Sequence, residues 1–232
     1  MLEINPKDLS TKDLHGYLLS SVGPRPIALV STIDNEGRPN LSPFSFFNVF
    51  SANPPIAIFS PARRVRNNTI KHTLQNVAST KEVVINVVSY PIVEQTSLSS
   101  TEYKKGVNEF IKSGLTPIES IQVKPYRVKE SPVQMECIVK NIISLGEDGG
   151  AGNLVVCEIV KMHISENILI QKSPYGIIRS GGKECKVGEP YGIIRSGKRG
   201  GKMEQPYGII RSRCREGSVQ QPYAIIRSRQ RL

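Results

Sequence analysis

The sequence has no tryptophan, only eight tyrosines and six phenylalanines, and four cysteines in 232 residues. Cys137, Cys157, Cys185 and Cys214 form no C-x-x-C pair. That spacing points to neither a zinc site nor a disulfide framework, and the expectation is two buried small hydrophobes with two incidental thiols in the tail. No apolar run approaches the ~20 residues that cross a bilayer, so no membrane span is expected and the membrane is not an expected partner. The start, Met1-Leu2-Glu3-Ile4 with Asp8 and Asp13 close behind, lacks the basic, then apolar, pattern of a secretory signal, which makes the cytoplasm the expected compartment. There is no G-x-S-x-G and no evident Cys–His pairing, so no catalytic triad is expected. The three histidines, His15, His72 and His163, suggest no metal site.

The net charge of +11 invites a nucleic-acid reading, but the charge is not spread evenly. Residues 171–232 carry 14 Lys and Arg against 4 Glu, whereas residues 1–170 carry 17 against 16 acidic residues. The basicity belongs to the tail, and nucleic acid is not an expected partner of the first 170 residues. In the tail a Pro-Tyr pair recurs with its proline at 174, 190, 206 and 222, each time followed by Gly or Ala and then Ile-Ile-Arg-Ser. These are four copies at a period of 16, with too little apolar surface to pack a core. The tail is expected to be disordered or loosely ordered; stacking of the repeats as short strands is the alternative. The domain division is therefore 1–170 for the working domain and 171–232 for the tail.

Within the first 170 residues the pattern is mostly that of strands. Residues 26–33 (PIALVSTI) read as a buried strand, and Asp34-Asn35-Glu36-Gly37 supplies turn chemistry that returns the chain along 39–47. Further strands are expected at 55–60, 82–88, 133–145 and 153–170, the last two joined by Gly146-Glu147-Asp148-Gly149-Gly150. Asn68 is placed to cap a helix over 69–79, and short surface helices are expected within 91–114. Six or more strands with few helices indicate a mainly β fold, an antiparallel barrel that closes to remove exposed edges.

The most informative segment runs from Gly23 to Ser60. Leu41-Ser42-Pro43-Phe44-Ser45-Phe46-Phe47-Asn48 sets hydroxyls and amides beside aromatic rings. A flavin needs that combination, because its ring system is a flat apolar plate with a polar rim. The elements Arg25 through Thr32 with Gly37 and Asn40, Ser42 through Phe47, Asn53-Pro54-Pro55, Lys71 through Asn76, Glu82 through Asn86, Glu109-Phe110 with Gly114-Leu115-Thr116, and Glu130 through Val133 with Glu136-Cys137 follow one another in family order. Over about 150 residues they resemble the flavin reductase-like, FMN-binding split-barrel family, which includes flavoredoxin.

The resemblance implies an antiparallel Greek-key split β-barrel with a few short helices, working as a homodimer that binds FMN near the dimer interface. It also implies electron transfer from NAD(P)H to flavin, with a partner oxygenase or redox protein as possible recipient. By position, Ser42, Pro43, Phe44, Ser45, Phe46 and Phe47 would line the ring, with Ser31 and Thr32 on the neighbouring strand facing it. Lys71 and Thr73 would hold the phosphate and Asn76 would add an amide donor. His72 stands where the family often has Asp, and near the phosphate it would make binding mildly pH-dependent. Arg63, Arg64 and Arg66 read either as a solvated loop or as an anion-attracting rim. Two other functions stay open: an FMN-binding electron carrier without NAD(P)H activity, and a barrel scaffold whose basic tail binds polyanions. The repeats stand where the family continues past its last strand, with Ser180-Gly181-Gly182 as at best a remnant of a Gly-Gly element.

Overall fold

The computed structural model describes residues 1–168 in full, and beyond them only the backbone of residues 169–170, 173–174, 177–180, 193–196 and 210–212. The chain opens with α1 (Thr11–Ser21) and proceeds through β1 (Ala28–Ile33), β2 (Pro39–Phe44), β3 (Phe47–Ala52) and β4 (Pro55–Phe59). Next come α2 (His72–Thr80), β5 (Glu82–Val87), α3 (Val93–Ser99) and α4 (Glu109–Ser113). The short strands β6 (Pro117–Ile118) and β7 (Arg127–Val128) precede the long hairpin β8 (Val133–Ser144) and β9 (Asn153–Ile164). Beyond it lie β10 (Leu169–Ile170), β11 (Ser173–Pro174), β12 (Ile177–Ser180), β13 (Ile193–Ser196) and β14 (Ile210–Ser212).

Seven strands form one antiparallel sheet in the order β2-β1-β5-β8-β9-β4-β3. The antiparallel split barrel that the resemblance implies is the fold observed. The edge strands β2 and β3 are not paired, and the barrel stays split along that seam. Because β2 and β3 are consecutive in the chain, the two residues Ser45 and Phe46 span the split. The strand expected over 39–47 is thus two strands meeting at a corner, and the one expected to reach residue 170 ends at Ile164.

Every residue of β1 is buried, because both faces of the sheet are covered there. Successive residues on a strand face opposite sides. Ala28 and Val30 enter the barrel core with Phe44, Phe59, Leu74, Val77, Ile85 and both buried cysteines. Leu29 joins a second cluster with Leu41, Ile92, Phe110 and Leu115 beneath α3 and α4. Burying each large apolar side chain contributes about 1.5–3 kcal/mol.

The helix expected over 69–79 is observed at His72–Thr80, but not with the expected cap. Asn68 sits in the left-handed region at φ 53°, three residues before the cap position, which Lys71 occupies without a side-chain bond. Its amide instead accepts from Arg63 Nε (2.6 Å) and donates to the Glu147 carbonyl (2.9 Å), tying the 61–70 loop to the β8–β9 turn. The N-terminal helix α1 went unread in the sequence, although its signal is present. Ser10, the residue before Thr11, caps the helix: its Oγ accepts from the Asp13 amide (3.1 Å) and donates to the Asp13 carboxylate (2.6 Å).

In the tail, β12, β13 and β14 pair in parallel with Ile194 opposite Ile178 and Ile210 opposite Ile194, a register shift of one repeat per strand. The rest of the tail, Cys185, Cys214 and Gly181-Gly182 included, lies outside the described residues. Among the described residues no helix is long and apolar enough to cross a membrane, and no group of His, Cys, Asp and Glu is arranged to hold a metal.

Candidate functional site

The corner Phe44-Ser45-Phe46 between β2 and β3 collects nitrogen-bearing side chains from three other parts of the chain. Lys71, at the N-terminal cap of α2, places its Nζ 5.2 Å from the centre of the Phe44 ring. Arg25, in the segment leading into β1, donates from Nε to Ser45 Oγ (3.4 Å) and from its other end to the carbonyls of Leu19 and Val22 at the end of α1. His15, on α1, meets the Phe46 ring edge to face, with ring centres 6.1 Å apart and planes at 73°. No carboxylate lies within ion-pair distance of Lys71, Arg25 or His15 among the described residues.

The electrostatics follow from that crowding. Burial lowers the Lys71 ammonium below the usual lysine range, and the Arg64 guanidinium lowers it further against a weaker pull from Glu102. His15 is likewise lowered, by partial burial first and then by Arg25 and Lys71. Positive groups facing one another without a counter-ion are each destabilised, so an anion entering the corner is favoured by all of them.

The expected site residues do not all converge. Ser42, Pro43, Ser45 and Phe47 are partly buried, Phe44 is in the barrel core and Phe46 is exposed, so the corner runs from core to surface. Ser31 and Thr32 lie on opposite faces of β1 and cannot both turn to one ligand. Thr32 Oγ1 accepts from Asn76 Nδ2 (3.0 Å) and Thr73 Oγ1 accepts from Asn40 Nδ2 (3.0 Å), all four buried. These two bonds fasten α2 across the β1–β2 hairpin and thereby fix Lys71 at its end. The Asn76 amide is committed to Thr32, whereas Thr73 keeps its own hydroxyl proton. Ser31 faces the second cluster with Leu29, and its buried hydroxyl has no hydrogen-bond partner among the described residues.

His72 turns to another place, a cavity of about 20 Å³ that it lines with Asn40, Asn76, Lys105 and Glu109. Burial lowers its pKa, with Arg64 and Lys105 adding to the effect and Glu102 opposing it. Of the arginine cluster, Arg63 bonds Asn68, and Arg64 pairs with Glu102 (2.8 Å) while donating to the Ile70 carbonyl (2.6 Å). Arg66 is 78% exposed, so the cluster is part loop scaffold and part solvated rim. His163 has the expected structural role: its Nε2 lies 2.6 Å from the buried Glu136 carboxylate. Arg25 and His15 are the members of the corner that sequence reasoning missed. Arg25 was visible as part of the Arg-Pro-Ile-Ala stretch, but nothing local in the sequence connects His15 to it.

A family model for the flavin reductase like domain matches residues 20–179, from the end of α1 into the tail strands. The chain belongs to the flavin reductase-like family. A protein of Aquifex aeolicus (strain VF5) is 36% identical over 195 residues, an alignment that covers 80% of this chain and 99% of that one. The crystal structure of nitrilotriacetate monooxygenase component B from Bacillus cereus superposes at a TM-score of 0.70, with 32% identity over 74% of this chain and 85% of the other. A split-barrel protein from Shewanella frigidimarina NCIMB 400 gives a TM-score of 0.62 at 29% identity, over 72% of this chain and 80% of that one. As a flavin reductase-like protein, the chain is a flavin-linked oxidoreductase, and its seven-stranded antiparallel sheet with few helices is the family's split barrel.

Proposed function

We propose that the chain is an NAD(P)H:flavin oxidoreductase that binds FMN at the β2–β3 corner. The observation that carries this reading is Lys71, a partly buried ammonium without a carboxylate partner among the described residues, held over Phe44 at the end of a helix locked to the hairpin. A phosphate supplies the missing counter-charge through charge-assisted hydrogen bonds. Phe46 and the exposed part of Phe47 offer apolar surface to a flat ring, with Phe44 packed beneath them in the core, while Ser42 and Ser45 offer hydroxyls to its polar rim. The donor set therefore fits FMN.

Bound there, the flavin would supply the acceptance and release of electron pairs. The chain's own work is binding and orientation: the corner fixes the ring, Lys71 fixes the phosphate, and the exposed side of the seam admits the nicotinamide. No acid or base on the protein is required for hydride transfer between the two cofactors. Delivery of reduced flavin to a partner oxygenase is supported by the likeness to nitrilotriacetate monooxygenase component B.

A homodimer is part of the same reading. The edge strand β3 exposes Val49 (52%) and Phe50 (66%), α1 exposes Tyr17 and Leu18, and Val22, which follows α1, is exposed as well. Unpartnered apolar surface of this kind is covered in stable proteins.

The test is direct. Protein purified without added flavin is expected to show flavin absorbance or to acquire it on titration with FMN, and Lys71→Ala to bind FMN about 10- to 150-fold more weakly, from the loss of a charge-assisted contact worth about 1.5–3 kcal/mol. Protein that refuses FMN at high concentration overturns the reading. Flavin binding without oxidation of NADH or NADPH would leave an electron carrier in place of a reductase.

A further inference from the structure

The three residues of the corner are each touched by a different nitrogen group, but those groups are not equally occupied. Arg25 spends its guanidinium on Ser45 and on two carbonyls of α1, so it is a latch that holds the helix over the corner. Lys71 is anchored from below by α2. His15 is left with an aromatic contact alone: its ring rests on the edge of Phe46 and has no hydrogen bond among the described residues. The charged groups that face it are both cations, Arg25 from the β1 leader and Lys71 from α2. This exposed imidazole sits on Phe46, the residue next to those that Arg25 and Lys71 touch, with its nitrogens unspent; its protonated form is disfavoured by partial burial and by the two cations, a bias that an anion entering the corner opposes.

We propose that His15 is a phosphate-positioning residue, completing from α1 the anion site that Lys71 forms from α2 and taking up one proton from solvent as the flavin phosphate binds. The inference rests on the FMN reading above and goes further. It assigns a ligand-binding role to the N-terminal helix, which buries none of its residues against the barrel, and it makes flavin affinity depend on pH. The helix start is itself pinned: a Cβ on Gly150 would come within 2.4 Å of Thr11 Cγ2, so the β8–β9 turn sits directly against the first turn of α1. With Arg25 at one end and Gly150 at the other, His15 is presented at a fixed place rather than on a loose arm.

The sign is set by the direction of coupling. An anion stabilises the protonated ring, so binding takes up a proton and tightens as pH falls toward the imidazole range. The flavin phosphate titrates near pH 6 as well and acts in the opposite sense, weakening below that. Comparing variants at one pH cancels the phosphate's own contribution.

Fluorescence titration with FMN and with riboflavin at pH 6.3 and pH 8.0 would be run on the full chain, on His15→Gln and on His15→Arg. At pH 6.3 we expect His15→Gln to bind FMN about tenfold more weakly than the natural chain, the size of one charge-assisted hydrogen bond, and less than twofold more weakly at pH 8.0. His15→Arg should retain tight FMN binding at both values. Riboflavin, which has no phosphate, should show no dependence on residue 15. Calorimetry in two buffers of different ionisation enthalpy should register a net proton uptake with FMN that is larger for the natural chain than for His15→Gln, the phosphate's own proton release being common to both. If the natural chain binds FMN and His15→Gln matches it at both pH values, the role of His15 is overturned while the flavin site stands. If riboflavin loses affinity equally in His15→Gln, the residue supports the ring pocket and not the phosphate, which also overturns the proposal. A natural chain that binds no FMN at all removes the flavin reading and this one with it.

Discussion

Glu136 is a buried charged residue on β8, with no exposed surface, whose surroundings favour the carboxylate. Burial alone would raise its carboxyl, but the amides of Gln122 and Ile121 and the His163 ring outweigh that cost and hold it below the usual carboxylate range. Four donors converge on it: the Ile121, Gln122 and Val123 amides at 2.6–3.3 Å and His163 at 2.6 Å. The carboxylate therefore ties the 119–126 loop to the sheet. A depressed folded pKa contributes stability that is present above the unfolded value, near 4.3, and is lost as pH falls through the folded one. Glu136→Ala, which leaves several buried donors without an acceptor, should cost about 3 kcal/mol in urea unfolding at pH 7. The deficit should shrink in acid, where the natural chain loses the same interaction. A constant deficit from pH 7 to pH 3 would count against this account.

At the scale of elements, the site is positioned by pieces remote in sequence. The 61–70 loop is stitched to the β8–β9 turn by the Arg63 amide to the Ala151 carbonyl (2.9 Å), by the Gly150 amide to the Arg63 carbonyl (3.0 Å) and by Asn68 to Glu147. At Gly149 a Cβ would meet Val65 Cα at 2.9 Å and two backbone oxygens at 3.0–3.1 Å, contacts with main chain that cannot rotate away. Gly149→Ala should push the turn off the loop and destabilise the fold by about 1–3 kcal/mol, an overpacking effect that a thermal melt would register. Unchanged stability would mean that the turn shifts without resistance.

This is also where the sequence was most and least legible. The strands could be read because 26–33, 82–88 and 133–145 are apolar runs bounded by turn residues, and a local pattern suffices for them. The corner at Ser45 and Phe46 could not, since residues 39–47 carry no break strong enough to distinguish one strand from two. Asn68 has the composition of a cap, but its side chain is captured by Arg63 and Glu147, and a competing long-range bond decided the outcome. Lys71 and Ser42 to Phe47 could be proposed from the order of motifs. The commitments of Thr32 to Asn76 and of Thr73 to Asn40 depend on how α2 crosses the hairpin, which no local pattern encodes. For the same reason His15 remained unconnected to residues 30 positions further on.

For the whole molecule, the uneven charge separates two regions with different physics. The near-neutral barrel region belongs to the flavin reductase-like family, and the strongly basic repeats follow it. The exposed face of β3 and α1 predicts self-association: sedimentation at micromolar concentration should show a dimer, and Phe50→Asp should shift it to monomer by placing a charge in an apolar contact. A natural chain that sediments as a monomer would remove the dimer from the proposal. The seam has a consequence of its own. Its two lips are successive strands, so near Ser45 they are tethered by a covalent link of three residue steps, and three steps reach at most about 11 Å. The slot at that end has a gauge set by bond lengths rather than by weak contacts. At that end β2 and β3 cannot part, whatever happens to the weaker contacts along the rest of the seam.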